Sequence, residues 1–65
     1  MNSAEMEKLL DAAEYLFYER GYQAVGMDEI RAASGLSLKR IYSLVGSKEQ
    51  LAVRMLRRRD DKWHA

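Results

Sequence analysis

The apolar residues of this chain recur three and four positions apart, in four segments that are separated by glycines. Side chains with this spacing lie on one face of an α-helix, so each segment predicts a helix with one buried side. The chain has no proline to interrupt a helix, and no segment alternates like a strand over more than a few residues. The sequence therefore predicts an all-α fold.

The first helix is predicted at residues 4–20. Asn2 and Glu5, three positions apart, resemble a capping box at its start, and Gly21 follows the last periodic residue as a stop signal. The acidic residues occupy the other face of this helix. The residues expected in its buried stripe are Met6, Leu9, Leu10, Ala13, Leu16 and Phe17.

Three further helices are predicted. A short linker leads to a second helix of about two turns, which ends at Gly35. Ser37 is a natural N-cap for a third helix, which ends at Gly46. Ser47 and Gln50 form a capping box that opens a fourth. The residues expected inside are Met27, Ile30 and Ala33 in the second helix, Leu38, Ile41 and Val45 in the third, and Leu51, Ala52, Met55 and Leu56 in the fourth.

Size and composition exclude several kinds of protein. A chain of 65 residues fits one small domain, whose core supplies only ~3–5 kcal/mol of stability. It has no cysteine, so it has neither a disulfide nor a cysteine-ligated metal, and packing alone must stabilise it. No apolar run is long enough for a membrane span or for the core of a secretory signal, which is typical of a cytosolic protein.

No group of side chains in the sequence indicates catalysis or a cofactor. His64 has no second histidine, cysteine or carboxylate constellation at metal-ligand spacing. The serines have cap or turn explanations, and none has a general base nearby. We therefore expect no enzyme, no metal site and no cofactor.

The charges are distributed unevenly along the chain. Residues 1–30 contain two basic and seven acidic residues, a net charge of −5, whereas residues 31–65 contain nine basic and three acidic residues, a net charge of +6. A basic half of this kind favours a polyanionic partner, although a solvated helix face with the same charges is the commoner explanation.

The second and third helices have the organisation of a helix-turn-helix DNA reader. Each is too short to be stable alone, and they are joined by a tight turn at residues 34–36 and braced by the longer first helix. Gly35 supplies the residue that tolerates a positive φ in this turn. Ordinary helical hairpins share these spacings, so the pattern alone leaves DNA binding and a structural hairpin as alternatives.

The solvent side of the third helix favours DNA binding. It carries two cations and a phenol with no acid beside them, whereas a solvated helix face normally mixes both signs. Arginine and lysine donate to guanine or phosphate, and hydroxyl groups donate to phosphate. Lys48 adds a cation in the first turn of the fourth helix, where an acid is expected on dipole grounds and where a bound phosphate would explain it. The residues left toward solvent on the third helix are Lys39, Arg40, Tyr42 and Ser43.

Five motifs follow one another along the chain. They are AAEYLFYERGY at residues 12–22, MDEI at residues 27–30, ASGLS at residues 33–37, IY at residues 41–42 and SKEQL at residues 47–51. Together they closely resemble the N-terminal domain of the TetR family of bacterial transcriptional regulators, over about residues 6–56. The resemblance is specific because many positions match in the right order.

This resemblance implies a three-helix, homeodomain-like helix-turn-helix bundle with the start of a fourth, connecting helix. Residues 1–65 would form one DNA-binding domain, with the helix-turn-helix at residues 27–46 and the fourth helix from residue 48. The family resemblance further implies a cytoplasmic bacterial regulator, by default a repressor, that binds double-stranded DNA at a near-palindromic operator as a homodimer. A C-terminal domain absent from this chain would dimerise and bind a small-molecule effector.

The resemblance also implies which residues face DNA. With the third helix as the recognition helix, we expect Arg40 and Lys39 to read bases, although both replace the small residues that are frequent at these positions in the family. Tyr42 and Lys48 are expected at phosphates. The chain departs from the family pattern at residues 25–26, which lack the hydroxyl groups often found before the second helix. The residues assigned to the DNA interface are Ser37, Leu38, Lys39, Arg40, Tyr42, Ser43 and Lys48.

Two other functional classes stay open. A protein-interaction module would use the first or fourth helix as its partner surface, and an exposed apolar patch there would support it. A membrane-surface peptide ranks lower, because the acids of the first helix have the wrong sign for anionic lipid.

Tyr15, Tyr18 and Tyr22 are expected to be packing and rim residues. The charged run at residues 57–61 is interpreted as the solvated end of the fourth helix, with nonspecific phosphate contact as the second interpretation.

Overall fold

Four α-helices and one short 3₁₀ turn make up the part of the chain that the structure describes. The computed structural model describes the backbone of residues 3–64 and the side chains of residues 4–60. The helices are α1 (Ser3–Arg20), α2 (Met27–Ser34), α3 (Leu38–Val45) and α4 (Lys48–His64), and the 3₁₀ turn is Tyr22–Ala24. The all-α prediction is confirmed, with helix starts and stops close to those expected. The linker before α2 differs, because it contains a turn that its sequence did not indicate.

Serine hydroxyls and a glycine mark the helix ends, as the sequence predicts. The Ser37 Oγ accepts a hydrogen bond from the N–H of Arg40 at 3.1 Å. The Ser47 Oγ accepts one from the N–H of Gln50, also at 3.1 Å. These caps satisfy N–H groups that have no partner within the helix. α1 ends where the N–H of Gly21 donates to a carbonyl of the last turn at 2.9 Å.

α2 begins without a capping side chain. Gly26 precedes it, and the N–H of Gly26 donates to Glu29 Oε2 at 3.0 Å. Glu29 also pairs with Arg20 at the end of α1. Val25, one of the positions that depart from the family pattern, is only 1% exposed and belongs to the core. The segment before α2 is therefore held by an acid of α2 and by apolar packing instead of a hydroxyl cap.

The turn between α2 and α3 depends on a glycine and a buried serine. Gly35 has φ 77° and ψ 6°, in the left-handed region that other residues rarely adopt. The Ser34 hydroxyl accepts a hydrogen bond from the N–H of Leu36 at 3.2 Å and donates to the carbonyl of Arg31 at 3.4 Å. The prediction that Ala33 lies inside is wrong, because Ser34 takes the buried position and Ala33 is exposed. The turn satisfies the serine hydroxyl, which makes its burial tolerable.

The apolar core draws on all four helices. Ile30 of α2 and Ile41 of α3 are fully buried and join the two short helices from inside, as predicted. Leu56, predicted inside α4, is 52% exposed, because it lies ~100° around the helix from the buried Met55. The core residues are Leu9, Leu10, Ala13, Phe17, Val25, Ile30, Ile41, Val45, Leu51 and Met55.

The helices pack so that α3 lies at the side of the bundle. α1 packs against α2 and α4, and α3 packs against the same two helices. The resulting body measures 32 × 30 × 17 Å. Within the described residues, no helix combines the length and the apolarity that a membrane span requires. The core face of α3 is covered, and its opposite face is left to solvent.

An arginine of α4 connects this helix to three acids of α1. Arg58 is only 12% exposed, and its guanidinium donates to Asp11 at 2.9 Å and to Glu14 at 2.7 Å. A third carboxylate, that of Glu7, lies 3.5 Å away. The interpretation of residues 57–61 as a solvated helix end is therefore wrong for Arg58. Its spacing within α4 carries no sign of these partners, which lie more than 40 positions earlier in the chain.

Candidate nucleic-acid interface

α3 presents a polar face to solvent. Lys39 and Ser43, one helical turn apart, are both exposed, and Tyr42 is 45% exposed. Ile41 and Val45 are buried on the opposite side. α3 is thus a capped, amphipathic helix, as the apolar spacing predicts. Its apolar side chains pack in the core, and its polar side chains face solvent.

Leucine and serine residues border this polar face. Leu38, which the spacing predicts inside and the family resemblance predicts at DNA, is half-buried. Leu44 packs against the core. Ser37 is exposed, although its hydroxyl oxygen is engaged as the cap of α3. A shallow depression on this face is lined by Ser37, Lys39, Arg40 and Ser43.

Arg40 is tied to the first helix. Its Nε and Nη2 atoms donate to Glu5 Oε1 at 2.9 Å and 2.7 Å. The prediction that no acid stands beside the cations of this face is therefore wrong for Arg40. Glu5 was predicted to cap its own helix with Asn2, which lies outside the described residues. The two residues are 35 positions apart in the chain, so only the packing of the bundle reveals the pair.

Lys48 is the first residue of α4 and lies over an aromatic ring. Its Nζ is 4.4 Å from the ring centroid of Tyr22, a distance typical of a cation–π contact. The Tyr22 ring in turn packs on Phe17 with centroids 5.2 Å apart. This stacking restricts where the ammonium group lies. The first N–H groups of α4 and the ammonium thus bring positive charge to the same helix end.

The structure brings most of the predicted interface residues to one region. Six of the seven lie on α3 or at its cap, and Lys48 follows three positions after the end of α3. Sequence reasoning missed two residues that contact them. Glu5 holds Arg40, and Tyr22 lies under Lys48. The opposite charges of the two halves of the chain were the only signal for the first, and no sequence signal indicated the second.

The described residues contain no group of three or more histidine, aspartate and glutamate side chains placed to hold a metal ion. The acids that gather around Arg58 are instead arranged about a guanidinium. The polar face of α3 carries the ammonium of Lys39 and the hydroxyl groups of Tyr42 and Ser43. Such a surface is suited to phosphate groups and base edges.

The chain matches the model of a protein family described as "Bacterial regulatory proteins, tetR family" over residues 9–55. The matched segment runs from the buried Leu9 of α1 to the buried Met55 of α4 and contains the whole helix-turn-helix. The chain belongs to the TetR family. The resemblance seen in the sequence is thereby confirmed, and the TetR-family segment is the N-terminal DNA-binding domain of transcriptional regulators.

This TetR-family domain is similar to parts of longer regulators. The HTH-type transcriptional activator FasR of Mycolicibacterium smegmatis is 43% identical over 54 residues, which cover 83% of this chain and 25% of FasR. Two uncharacterized HTH-type transcriptional regulators of Mycobacterium tuberculosis, MT1294 and Rv1255c, are 42% identical over 45 residues, or 69% of this chain and 22% of each relative. The TetR-family domain thus spans a quarter or less of the length of these relatives. No solved structure matches it significantly.

Proposed function

We propose that this TetR-family domain recognises specific sequences of double-stranded DNA by laying α3 in the major groove. The observation that carries the proposal is the exposed face of α3, which holds Lys39, Tyr42 and Ser43 on a helix whose other side is anchored in the core. The major groove admits an α-helix, and its base edges present acceptors to lysine and arginine. The short α2 braces α3 through the shared core, in which Ile30 of α2 and Ile41 of α3 are both fully buried, as a helix-turn-helix requires.

We assign the contacts by chemistry. Arg40 and Lys39, near the start of α3, are the readers of bases, because both side chains donate to guanine O6 and N7. Tyr42 and Lys48 fix the register on the backbone, because a phenol and an ammonium donate to phosphate oxygens. The half-exposed Leu38 adds apolar contact at the groove. The hydroxyl groups of Ser37 and Ser43 lie at the edge of the same surface and complete the proposed contacts.

The complete regulator is proposed to act as a homodimer. Two copies of α3, one DNA turn or ~34 Å apart, would read a near-palindromic operator. Dimer contacts and a small-molecule effector site are assigned to a C-terminal domain, since the relatives are about four times as long as the matched segment. The proposed action is repression in the bacterial cytoplasm, which is the default that the family resemblance implies. One similar protein, FasR, is named an activator, so a reporter assay on the regulated promoter decides the sign.

NMR titration with DNA tests the proposed docking. A duplex enriched from a randomised pool by binding to the chain should shift the amide signals of residues 37–48. Lys39→Ala should weaken this binding more than Lys8→Ala, which removes the same charge from the exposed surface of α1. Shifts confined to α1, with residues 37–48 unchanged, would show that the docking model is wrong.

A protein-interaction role is the second candidate, and one observation favours it. Tyr18 of α1 and Leu56 of α4 are more than half exposed at an apolar depression between the two helices. Exposed apolar surface of this kind is typical of a protein contact. If the surface mediates self-association, Leu56→Ser should abolish any dimer that sedimentation of the wild-type chain detects, without changing the affinity of a single chain for a DNA half-site. The depression is lined by Phe17, Tyr18, Tyr22, Ala52, Met55 and Leu56.

A further inference from the structure

We propose that Glu5 of α1 is a positioning residue that sets the base preference of Arg40. The inference rests on the proposed function, because it concerns how the α3 face reads DNA. Glu5 itself lies outside the helix-turn-helix, on a helix that was predicted only to brace it. The pair links the start of α1 to the start of α3 through hydrogen bonds of 2.9 Å and 2.7 Å.

The geometry of the pair leaves one edge of the guanidinium available. Arg40 uses its Nε–H and one Nη2–H, both of which point to the same carboxylate oxygen, Glu5 Oε1. A guanidinium has five N–H donors in a planar fork, so the Nη1 group and the second Nη2–H are not used by Glu5. These donors form the terminal edge, which makes the two parallel hydrogen bonds to guanine O6 and N7. Holding Arg40 by its side edge is therefore compatible with base reading.

Arg40 is restrained at both of its ends. Its backbone N–H donates to the Ser37 cap at 3.1 Å, and its guanidinium is bonded to Glu5. Glu5 is itself placed by α1, where Leu9 and Leu10 are buried one turn further along. An arginine side chain that is ordered before binding loses less conformational entropy when it contacts DNA. The pair thus presents a prepared donor edge on the α3 face.

The charge of Glu5 also affects whether Arg40 contacts a base or a phosphate. A phosphate that approached Arg40 would meet the repulsion of the carboxylate and would have to compete with it for the same cation. A guanine edge is neutral and accepts hydrogen bonds without this repulsion. The side chains of Arg40 and Glu5 are 33% and 38% exposed, so both meet whatever lies on this face. We infer that Glu5 biases Arg40 away from nonspecific backbone contact and toward a base.

The test compares Glu5→Gln with a matched charge control. Glu19→Gln removes the same charge from the other end of α1, about 21 Å along the helix axis at 1.5 Å per residue. Each protein selects duplexes from a randomised pool, and the selected sequences give the preference at every base position. Arg40→Ala identifies the position that Arg40 reads, and the Glu5→Gln/Arg40→Ala double variant shows whether Glu5 acts through Arg40.

We expect Glu5→Gln to reduce preference at the Arg40 position by roughly fivefold or more, the lower end of what one bidentate contact discriminates. Its binding to random DNA should strengthen, and the slope of log affinity against log salt should steepen by ~1, because Arg40 is freed for one more phosphate. Glu19→Gln should leave the base preference unchanged. In the Arg40→Ala background, Glu5→Gln should not alter preference at that position.

Two results would overturn the inference while the proposed function stands. In the first, wild type and Glu5→Gln show the same base preference at the Arg40 position. In the second, Glu5→Gln reduces the base preference in the Arg40→Ala background as well. A wild-type chain without any base preference would overturn the proposed function as well. A readout without DNA tests the pair itself. The Arg40 Nε–H signal should exchange slowly with water in wild type and faster in Glu5→Gln, at equal helix content by circular dichroism.

Discussion

Arg58 offers the sharpest test of how this small domain holds its last helix in place. The perturbation is Arg58→Met, which keeps an unbranched apolar stem and removes the guanidinium. Three acids of α1 then lose their shared cation: Glu7, Asp11 and Glu14. The adjacent Arg57→Met is the matched control, because Arg57 has the same charge and is exposed.

The magnitude follows from how exposed each partner is. The bond to Glu14, whose side chain is 33% exposed, should contribute ~1.5 kcal/mol as a hydrogen bond between charged groups. Asp11 and Glu7 are 71% and 59% exposed, so their pairs should add only ~0.5 kcal/mol each. The buried Nε of Arg58 has no partner among the described residues, and its removal should recover ~1 kcal/mol. The net destabilisation expected for Arg58→Met is ~1.5 kcal/mol.

Thermal unfolding measures this change. For a domain of this size, ~1.5 kcal/mol corresponds to a fall of ~6–12 °C in Tm, followed by circular dichroism. Arg57→Met should change stability by less than ~0.5 kcal/mol, as is usual for an exposed position. Equal Tm values for the two variants would show that Arg58 does not stabilise the position of α4. A difference that disappears entirely at high salt would also contradict a stabilising Glu14 bond, because the burial of Arg58 shields that bond from salt.

Titration of Arg58 itself should not change its contribution to stability between acidic and neutral pH. Burial lowers the pKa of Arg58. Hydrogen bonds to Glu14 and Asp11 and the charges of Asp11 and Glu7 raise it by more than burial lowers it, so the net pKa is raised. A raised pKa in the folded state gives stability that is present below the pKa of the unfolded chain and is lost only above it. The guanidinium therefore stays charged wherever the domain is studied.

Three other changes have defined outcomes. Arg40→Ala should cost ~1–3 kcal/mol at a single base position, measured by binding to duplexes that differ only there, and equal losses at all positions would contradict base reading. Lys48→Ala should weaken all duplexes alike and lower the salt slope by ~1, and a sequence-dependent loss would argue against a phosphate contact. Gly35→Ala should destabilise the fold by ~1–2 kcal/mol through its φ of 77° alone, since an added Cβ meets no atom within 4 Å. Its control, Gly26→Ala at φ −95°, carries no left-handed strain and should lower the stability by less than Gly35→Ala in the same melt, since only the N-cap preference for glycine over alanine opposes it.

The helices and the α3 face were predictable because their signals are local. Ser37 and Ser47 lie immediately before the helices they cap, and the buried Ile41 and Val45 are separated by one helical turn. Errors arose where a choice between adjacent positions depended on a neighbouring helix. Ala33 and Leu56 are both apolar and both have helical spacing. They are exposed nevertheless, because no neighbouring helix packs over their positions.

Local patterns in the sequence predict the all-α fold, the helix-turn-helix and the separation of a negative first half from a positive second half. Periodicity, caps and turn glycines act over a few residues, so they can be read without a structure. Which charges of the two halves meet depends on how the helices pack. The tertiary structure pairs Arg58 and Arg40 with acids of α1 and leaves Lys39 exposed. Ion pairs between positions more than 30 residues apart depend on how the helices cross, and this crossing is set by core packing and not by charge.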